Sequence, residues 1–327
     1  MPTVVKPVAT GVLAGRGDRI LLAGVARSGT SWLSRAMAAT PGTVHYYEPD
    51  NVDADPTGQR PIGRSGFGPY PIIDPSDDGG QFRGLWDAAF AGRLPRVQQT
   101  TKGVKLNAVR AVMRLPEAVR EPFISVGAKV LTSLPGKPQR VVIKSIYSTF
   151  SLEWLVNRYD PRVVVIQRHP LNVVSSWREL KIPGFDLTTR PALLERYRDR
   201  FSGPLVVSDA SKLTRIAWQV GLLTTALGDA LDRHSEWLLV DHEQLCEDPK
   251  LGIREVVERT GLPWSEDVSR FLDESNRPGD GLKPQRITKD QPTRWKNRLS
   301  DCEVDEIRSV LDRFPRRGWI REHSVLA

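Results

Sequence analysis

Cysteine is scarce in this chain: Cys246 and Cys302 are the only two among 327 residues. That excludes a disulfide scaffold and fits reduced thiols in an intracellular protein. Long apolar runs are missing too. No stretch approaches the roughly 18 apolar residues of a membrane helix, and Met1–Gly15 has no hydrophobic stretch of secretory quality. Neither a signal peptide nor a membrane span is expected, and the expected compartment is cytoplasmic. The five histidines show no metal-ligand spacing, so no metal site is expected. Negative charge is the minority sign, with 39 Asp+Glu against 47 Lys+Arg and a formal net charge of +8. Such a balance suits nucleic acid, an acidic surface or an anionic small ligand, and composition alone does not choose. What is present, 39% hydrophobic and 26% charged residues, is ordinary for a globular protein and excludes a disordered chain, a collagen and a coiled coil.

Short apolar runs rich in β-branched residues occur at Ile20–Val25, Arg140–Ile143, Arg162–Ile166 and Trp237–Val240, with a fifth at Thr43–Tyr47 after the Pro41-Gly42 turn. Helical patterns lie between them, at Ser31–Ala39, Phe150–Arg158, Leu171–Leu180, Lys212–Leu231 and Pro249–Thr260. Buried strands alternating with helices predict an α/β fold. The expectation is a single domain over 1–327, with about five parallel strands and helices on both faces. Two stretches interrupt the pattern. Pro56–Gly80 holds 11 Gly or Pro in 25 residues, the composition of a long loop. Arg277–Arg298 holds seven Lys or Arg against Asp280 and Asp290, and reads first as a solvated basic loop. The segment Gln81–Pro138 looks helical and amphipathic, and should cover one face of the sheet.

The first strand runs into Gly24-Val25-Ala26-Arg27-Ser28-Gly29-Thr30-Ser31-Trp32-Leu33. A buried strand, a Gly/Ser turn and a helix present successive backbone N–H groups to an anion. The spacing of Gly24, Gly29 and Ser31 approaches a nucleoside-triphosphate P-loop. That motif requires lysine after its second glycine, where this chain has Thr30, so ATP would lose its main cationic clamp. Arg27 supplies a cation from a different place in the loop.

The run Arg-Ser-Gly-Thr-Ser-Trp-Leu resembles the 5′-phosphosulfate loop of sulfotransferases that use 3′-phosphoadenosine 5′-phosphosulfate (PAPS). Its arginine form is similar to that of the carbohydrate and protein-tyrosine branches. The resemblance implies that Arg27, Ser28, Gly29, Thr30, Ser31 and Trp32 bind the 5′ end of the donor. It further implies a 3′-phosphate site at Arg168 and Ser176, which keep the family's eight-residue spacing after a buried strand. A guanidinium matches phosphate geometry, and a helix hydroxyl adds a donor. Lys144, ending the strand Arg140–Ile143, stands where family members carry a lysine near the bridging oxygen of the donor. The basic stretch 277–298 stands where the family closes a loop over the 3′-phosphate, with Lys289 and Arg294 as candidate contacts. PAPS would be the co-substrate and 3′,5′-adenosine bisphosphate (PAP) the product, without a metal.

In-line sulfuryl transfer needs a group to take the acceptor's proton. In the phenol and steroid branch this is a histidine two residues after the strand-end lysine, where this chain has Ile146. The resemblance to the other branches implies Glu48, in Tyr46-Tyr47-Glu48-Pro49, as the base, with Arg27 or Lys144 as its ion-pair partner. His169 and His45 suit structural roles better. Residues 50–138 and 181–210 match nothing in the family and are expected to cover the acceptor. The leading expectation is sulfuryl transfer to a hydroxyl of a carbohydrate-like or other small molecule, with no nucleic acid partner. A P-loop kinase with a degenerate loop, or a non-enzymatic polyanion binder, are the alternatives.

Overall fold

The five short β-branched runs form the five strands of one all-parallel sheet. They are β1 (Arg16–Ala23), β2 (Thr43–Tyr47), β3 (Arg140–Ser145), β4 (Pro161–Gln167) and β5 (Leu238–Asp241), in the spatial order β2-β3-β1-β4-β5. The structure, a computed structural model, describes residues 13, 15–51, 69–93, 140–182, 187–203, 210–279 and 285–315. The described helices are α1 (Thr30–Ala38), α2 (Gly80–Phe90), α3 (Leu152–Tyr159), α4 (Pro170–Glu179), α5 (Pro191–Arg196), α6 (Lys212–Arg233), α7 (His242–Glu247), α8 (Pro249–Arg259), α9 (Glu266–Ser275) and α10 (Asp301–Leu311).

The period of two along a strand divides the core into two layers. Leu21, Ala23, Val163 and Val165 face one layer, which holds Trp86 of α2, Trp177 of α4, Trp218 of α6 and Ile307 of α10. Ile20, Leu22, Val164 and Ile166 face the other, against Leu33 and Met37 of α1, Ile253 and Val257 of α8, and Leu272 of α9. Both faces of β1 and β4 are therefore dry, as continuous apolar runs require. Each fully buried Leu, Ile or Val side chain contributes roughly 1.5–3 kcal/mol by leaving water.

Expected and observed elements differ mainly at their ends. β1 begins at Arg16, four residues before the apolar run, because Arg16 pairs with Pro161 of β4 and Arg19 with Val141 of β3 while the segment is partly exposed. A 3₁₀ turn over Ser148–Phe150 precedes α3 and takes the first residue of the expected helix. α5, α7, α9 and α10 stand beyond the helices expected from periodicity. Of the insert expected to be helical, α2 is described and packs on the sheet, while 94–138 lie outside the described residues; so do 56–68 of the loop-like stretch. Among the described residues no helix is long and apolar enough to cross a membrane, and no group of three His, Cys, Asp or Glu could hold a metal ion. Both cysteines are free thiols, Cys246 buried and Cys302 exposed.

β1 sits at the centre, where the chain leaves it in one direction toward β2 and later returns on its other side as β4. In open parallel sheets the crevice beyond the carboxyl ends at such a place is where ligands bind.

Candidate active site

The turn from β1 into α1 is built by two glycines and one strained arginine. Gly24 passes so close to β4 that a Cβ there would lie 2.7 Å from the Ile166 carbonyl oxygen. Gly29, at φ 94°, would put a Cβ 2.4 Å from Cδ2 of His242, so side chains are excluded by conformation and by space. α1 starts at Gly29 without a side-chain cap, so its leading N–H groups have no side-chain acceptor. Arg27 has φ 74°, a left-handed conformation that costs a non-glycine residue energy and is held only by its surroundings. Its carbonyl accepts from Arg168 Nη1 at 3.2 Å, and its Nε donates to Ser176 Oγ at 3.1 Å. Trp177 Nε1 donates to the neighbouring Ala26 carbonyl at 2.8 Å. Burial lowers the Arg27 guanidinium from its ordinary value.

The second turn, from β4 into α4, delivers Arg168 and Ser176. The Arg168 side chain is 10% exposed, and burial pushes it down to about 10. Its Nη2 donates to the Gln291 carbonyl at 3.0 Å, and Glu243 lies 3.9 Å from its Nε. Arg27, Arg168 and Ser176 share one cleft with Arg286, Arg294 and Arg298, and Glu179 is the only carboxylate among the residues lining it. Glu179 is paired with Arg298. Five guanidiniums against one carboxylate make a site for an anion with more than one negative charge.

A second cluster lies where β2 and β3 end. The strands pair Tyr47 with Lys144, and the Glu48 N–H continues the ladder to the Lys144 carbonyl at 2.7 Å. This register brings the Glu48 carboxylate onto the Lys144 ammonium in a buried ion pair. Asn51 Nδ2 donates to the other Glu48 oxygen at 2.5 Å, and the Lys144 ammonium sits 4.1 Å from the Tyr47 ring centre. Burial, with Arg27 and Arg35 adding positive charge, lowers Lys144 well below its ordinary value. Glu48, like Arg27, is left-handed, at φ 55°. Ser31 Oγ and Tyr47 Oη are 2.8 Å apart and connect this cluster to the β1–α1 loop.

The residues singled out in the sequence thus fall into place unevenly. Arg27, Arg168, Ser176 and Arg294 line one cleft, so the two expected anion sites adjoin, with the Arg27 side chain turned toward Ser176. Glu48 pairs with Lys144. Ser28 and Thr30 are buried, and Trp32 Nε1 donates to Ser275 Oγ of α9 at 3.1 Å. Lys289 is exposed on a 3₁₀ turn and does not line the cleft. Arg286 and Arg298 line it instead; both were inside the basic stretch, where spacing carried no register. Asp50 was passed over altogether, although it is 4% exposed and accepts from Ser145 Oγ at 2.6 Å. His169 caps α4 by accepting from the Leu171 N–H at 3.3 Å and stacks on Trp295 with ring centres 5.9 Å apart. His45 is half-buried on β2, and desolvation drops it to about 3.

No curated protein sequence matches the chain. Solved structures to which it is similar include the sulfotransferase domain of the olefin synthase of Synechococcus PCC 7002, at 14% identity over 89% of this chain and 93% of that one, TM-score 0.42. The sulfotransferase domain from the curacin biosynthetic pathway shares 13% identity over 93% of this chain and all of that one, TM-score 0.47. A mouse sulfotransferase complexed with PAP shares 12% identity, covering 91% of this chain and 84% of that one, TM-score 0.43. The sequence profile of the sulfotransferase family matches residues 19–266, which include both strand-to-helix turns and the Glu48–Lys144 pair. On that match the chain belongs to the sulfotransferase family, the PAPS-dependent enzymes that its first loop resembles.

Proposed function

We propose that this enzyme moves the sulfuryl group of PAPS onto a hydroxyl of a carbohydrate-like or other small acceptor, by in-line displacement. One observation carries the reading: five arginines converge on a single cleft beside two strand-to-helix turns, with one carboxylate among them. Like charges gathered in a half-buried cleft are costly unless an anion neutralises them. A nucleotide with a 3′-phosphate and a 5′-phosphosulfate has anionic groups at both ends, and two adjoining turns suit it.

In this reading the 5′ end lies on Arg27, Ser28, Gly29, Thr30, Ser31 and Trp32, where α1 contributes its leading N–H groups. The 3′-phosphate lies on Arg168 and Ser176, with Arg294, Arg286 and Arg298 from the loop before α10. Lys144 then shares its ammonium between Glu48 and the charge that develops on the leaving phosphate. Glu48 takes the acceptor's proton; the Lys144 contact keeps that carboxylate oriented, and the Asn51 amide holds its second oxygen. The stretches 50–138 and 181–210 cover the acceptor. Their described parts meet where Arg190 Nη1 donates to the Pro69 and Tyr70 carbonyls at 3.0 and 2.6 Å.

Thermal unfolding with added nucleotides tests the assignment. PAP without metal raises the Tm, and ATP with Mg²⁺ leaves it unchanged. The reverse pattern would hand the site to the kinase alternative.

A further inference from the structure

Arg168 takes its orientation from three separate segments: the Arg27 carbonyl in the first turn, the Gln291 carbonyl in the loop before α10, and the Glu243 carboxylate of α7. The loop before α10 also carries Arg286, Arg294 and Arg298 into the cleft. Arg178 and Glu179 of α4 hold that loop at Arg298, and one buried α4 side chain, Asn172, holds it on either side of Arg294. Asn172 is 1% exposed. Its Nδ2 donates to Glu243 Oε1 at 3.2 Å and to the Pro292 carbonyl at 2.8 Å, while its Oδ1 accepts from the Trp295 N–H at 3.1 Å.

Glu243 completes the junction. Both its carboxylate oxygens accept from the His169 N–H, at 3.2 Å each. Burial alone would raise this carboxyl. His242, Arg168 and the His169 N–H outweigh burial and hold it below its ordinary value, so it stays ionised beside Arg168. Neither Asn172 nor Glu243 lines the cleft. Glu243 acts on it through Arg168, and Asn172 through the Pro292 and Trp295 backbone groups that flank Arg294.

We propose that Asn172, backed by Glu243, is a positioning pair that makes the donor cleft selective for nucleotides bearing a 3′-phosphate. The proposal rests on the donor assignment above and adds to it the device that sets the arginines' spacing. A guanidinium donates usefully to phosphate only over a narrow range of distance and angle. Releasing the loop from Asn172 lets Arg294, between the Pro292 and Trp295 anchors, drift from Arg168, while Arg298 stays tied to α4 through Glu179 and Arg178. This weakens the contact made by several arginines together and spares the 5′ end held by the first turn.

The test compares the affinities of PAP and ADP, which has a diphosphate for the 5′ side and no 3′-phosphate, by calorimetry on the full chain. In Asn172→Ala, PAP binding weakens at least tenfold while ADP binding changes less than threefold. Asn172→Asp, which turns a carboxylate oxygen toward Glu243 and the Pro292 carbonyl, loses at least as much. Asn172→Ser keeps one hydrogen-bonding group in place and gives an intermediate loss, with Tm reporting that each variant is folded. Parallel losses for the two nucleotides would reduce Asn172 to a general structural residue, and an unchanged PAP affinity in folded Asn172→Ala would overturn the proposal. Wild-type protein that binds PAP no tighter than ADP would instead sink the donor assignment itself.

Discussion

Asp50 offers a test of the site's burial that needs no substrate. Ser145 Oγ already accepts from the N–H groups of Tyr147 and Ser148, at 3.2 and 3.0 Å, so its single proton goes to Asp50 Oδ2. Asp50 Oδ1 is buried without a partner. An ionised carboxylate placed this way is poorly compensated, and burial pushes Asp50 from 3.8 up to about 7, against the smaller opposing pull of Ser145 and its own backbone. The folded protein therefore binds this proton more tightly than the unfolded chain does. Stability from this group is fully present below the ordinary aspartate range and is lost as pH rises through about 7. At 1.36 kcal/mol per pH unit the whole loss has a ceiling of about 4 kcal/mol, of which about 2–3 falls between pH 5 and pH 8. Asp50→Asn removes the titration and keeps the geometry, because its amide oxygen accepts from Ser145 and its NH₂ replaces the unpartnered oxygen. Guanidinium denaturation of both proteins at the two pH values reads the difference. The variant should gain about 2–3 kcal/mol on wild type between pH 5 and pH 8. A gap of constant size would show that Asp50 ionises normally in the folded state and that the pocket around it is wet.

Three further outcomes are expected. Glu48→Gln keeps PAP affinity within about threefold, because the amide oxygen still meets Lys144, and lowers sulfuryl transfer by roughly 10²-fold or more; near-normal turnover in a labelled-donor assay would remove Glu48 from the role of base. Arg168→Ala weakens PAP by roughly 10- to 100-fold, the usual scale of a hydrogen bond to a charged group, and calorimetry with ADP should show little loss; equal losses would contradict a 3′-phosphate contact. Gly29→Ala meets both a positive φ and the His242 ring, and should cost about 1–3 kcal/mol, seen as a lower denaturation midpoint; an unchanged midpoint would mean the turn yields freely.

The sheet was legible because its strands are unmixed apolar runs. Val163–Ile166 has no polar residue to confuse the period, and its flanking Gln167-Arg168 marks the carboxyl end of the strand. Arg27, Lys144, Glu48 and Arg168 were singled out through the family resemblance, and their positions at turns and strand ends follow from the same topology that fixes the strands. The C-terminal loop was not. Lys289, Arg286, Arg294 and Arg298 share one composition, and only tertiary anchors decide which face the cleft. Those anchors are the Gln291 carbonyl, the Pro292 carbonyl and the Trp295 N–H, backbone groups that leave no trace in a sequence. Asp50 was hidden differently: a carboxylate two residues from Glu48 looks like ordinary loop polarity until its burial is known.

Under the proposed assignment, four of the five cleft arginines lie on the 3′-phosphate, a part of the donor that sulfuryl transfer leaves untouched. The spent nucleotide keeps its 3′-phosphate and departs with nearly the same grip that admitted it. Exit, rather than bond-breaking, is then the natural bottleneck of the cycle. Added salt, by screening the five guanidiniums, should shorten the residence of the spent nucleotide even as it slows capture of the next donor.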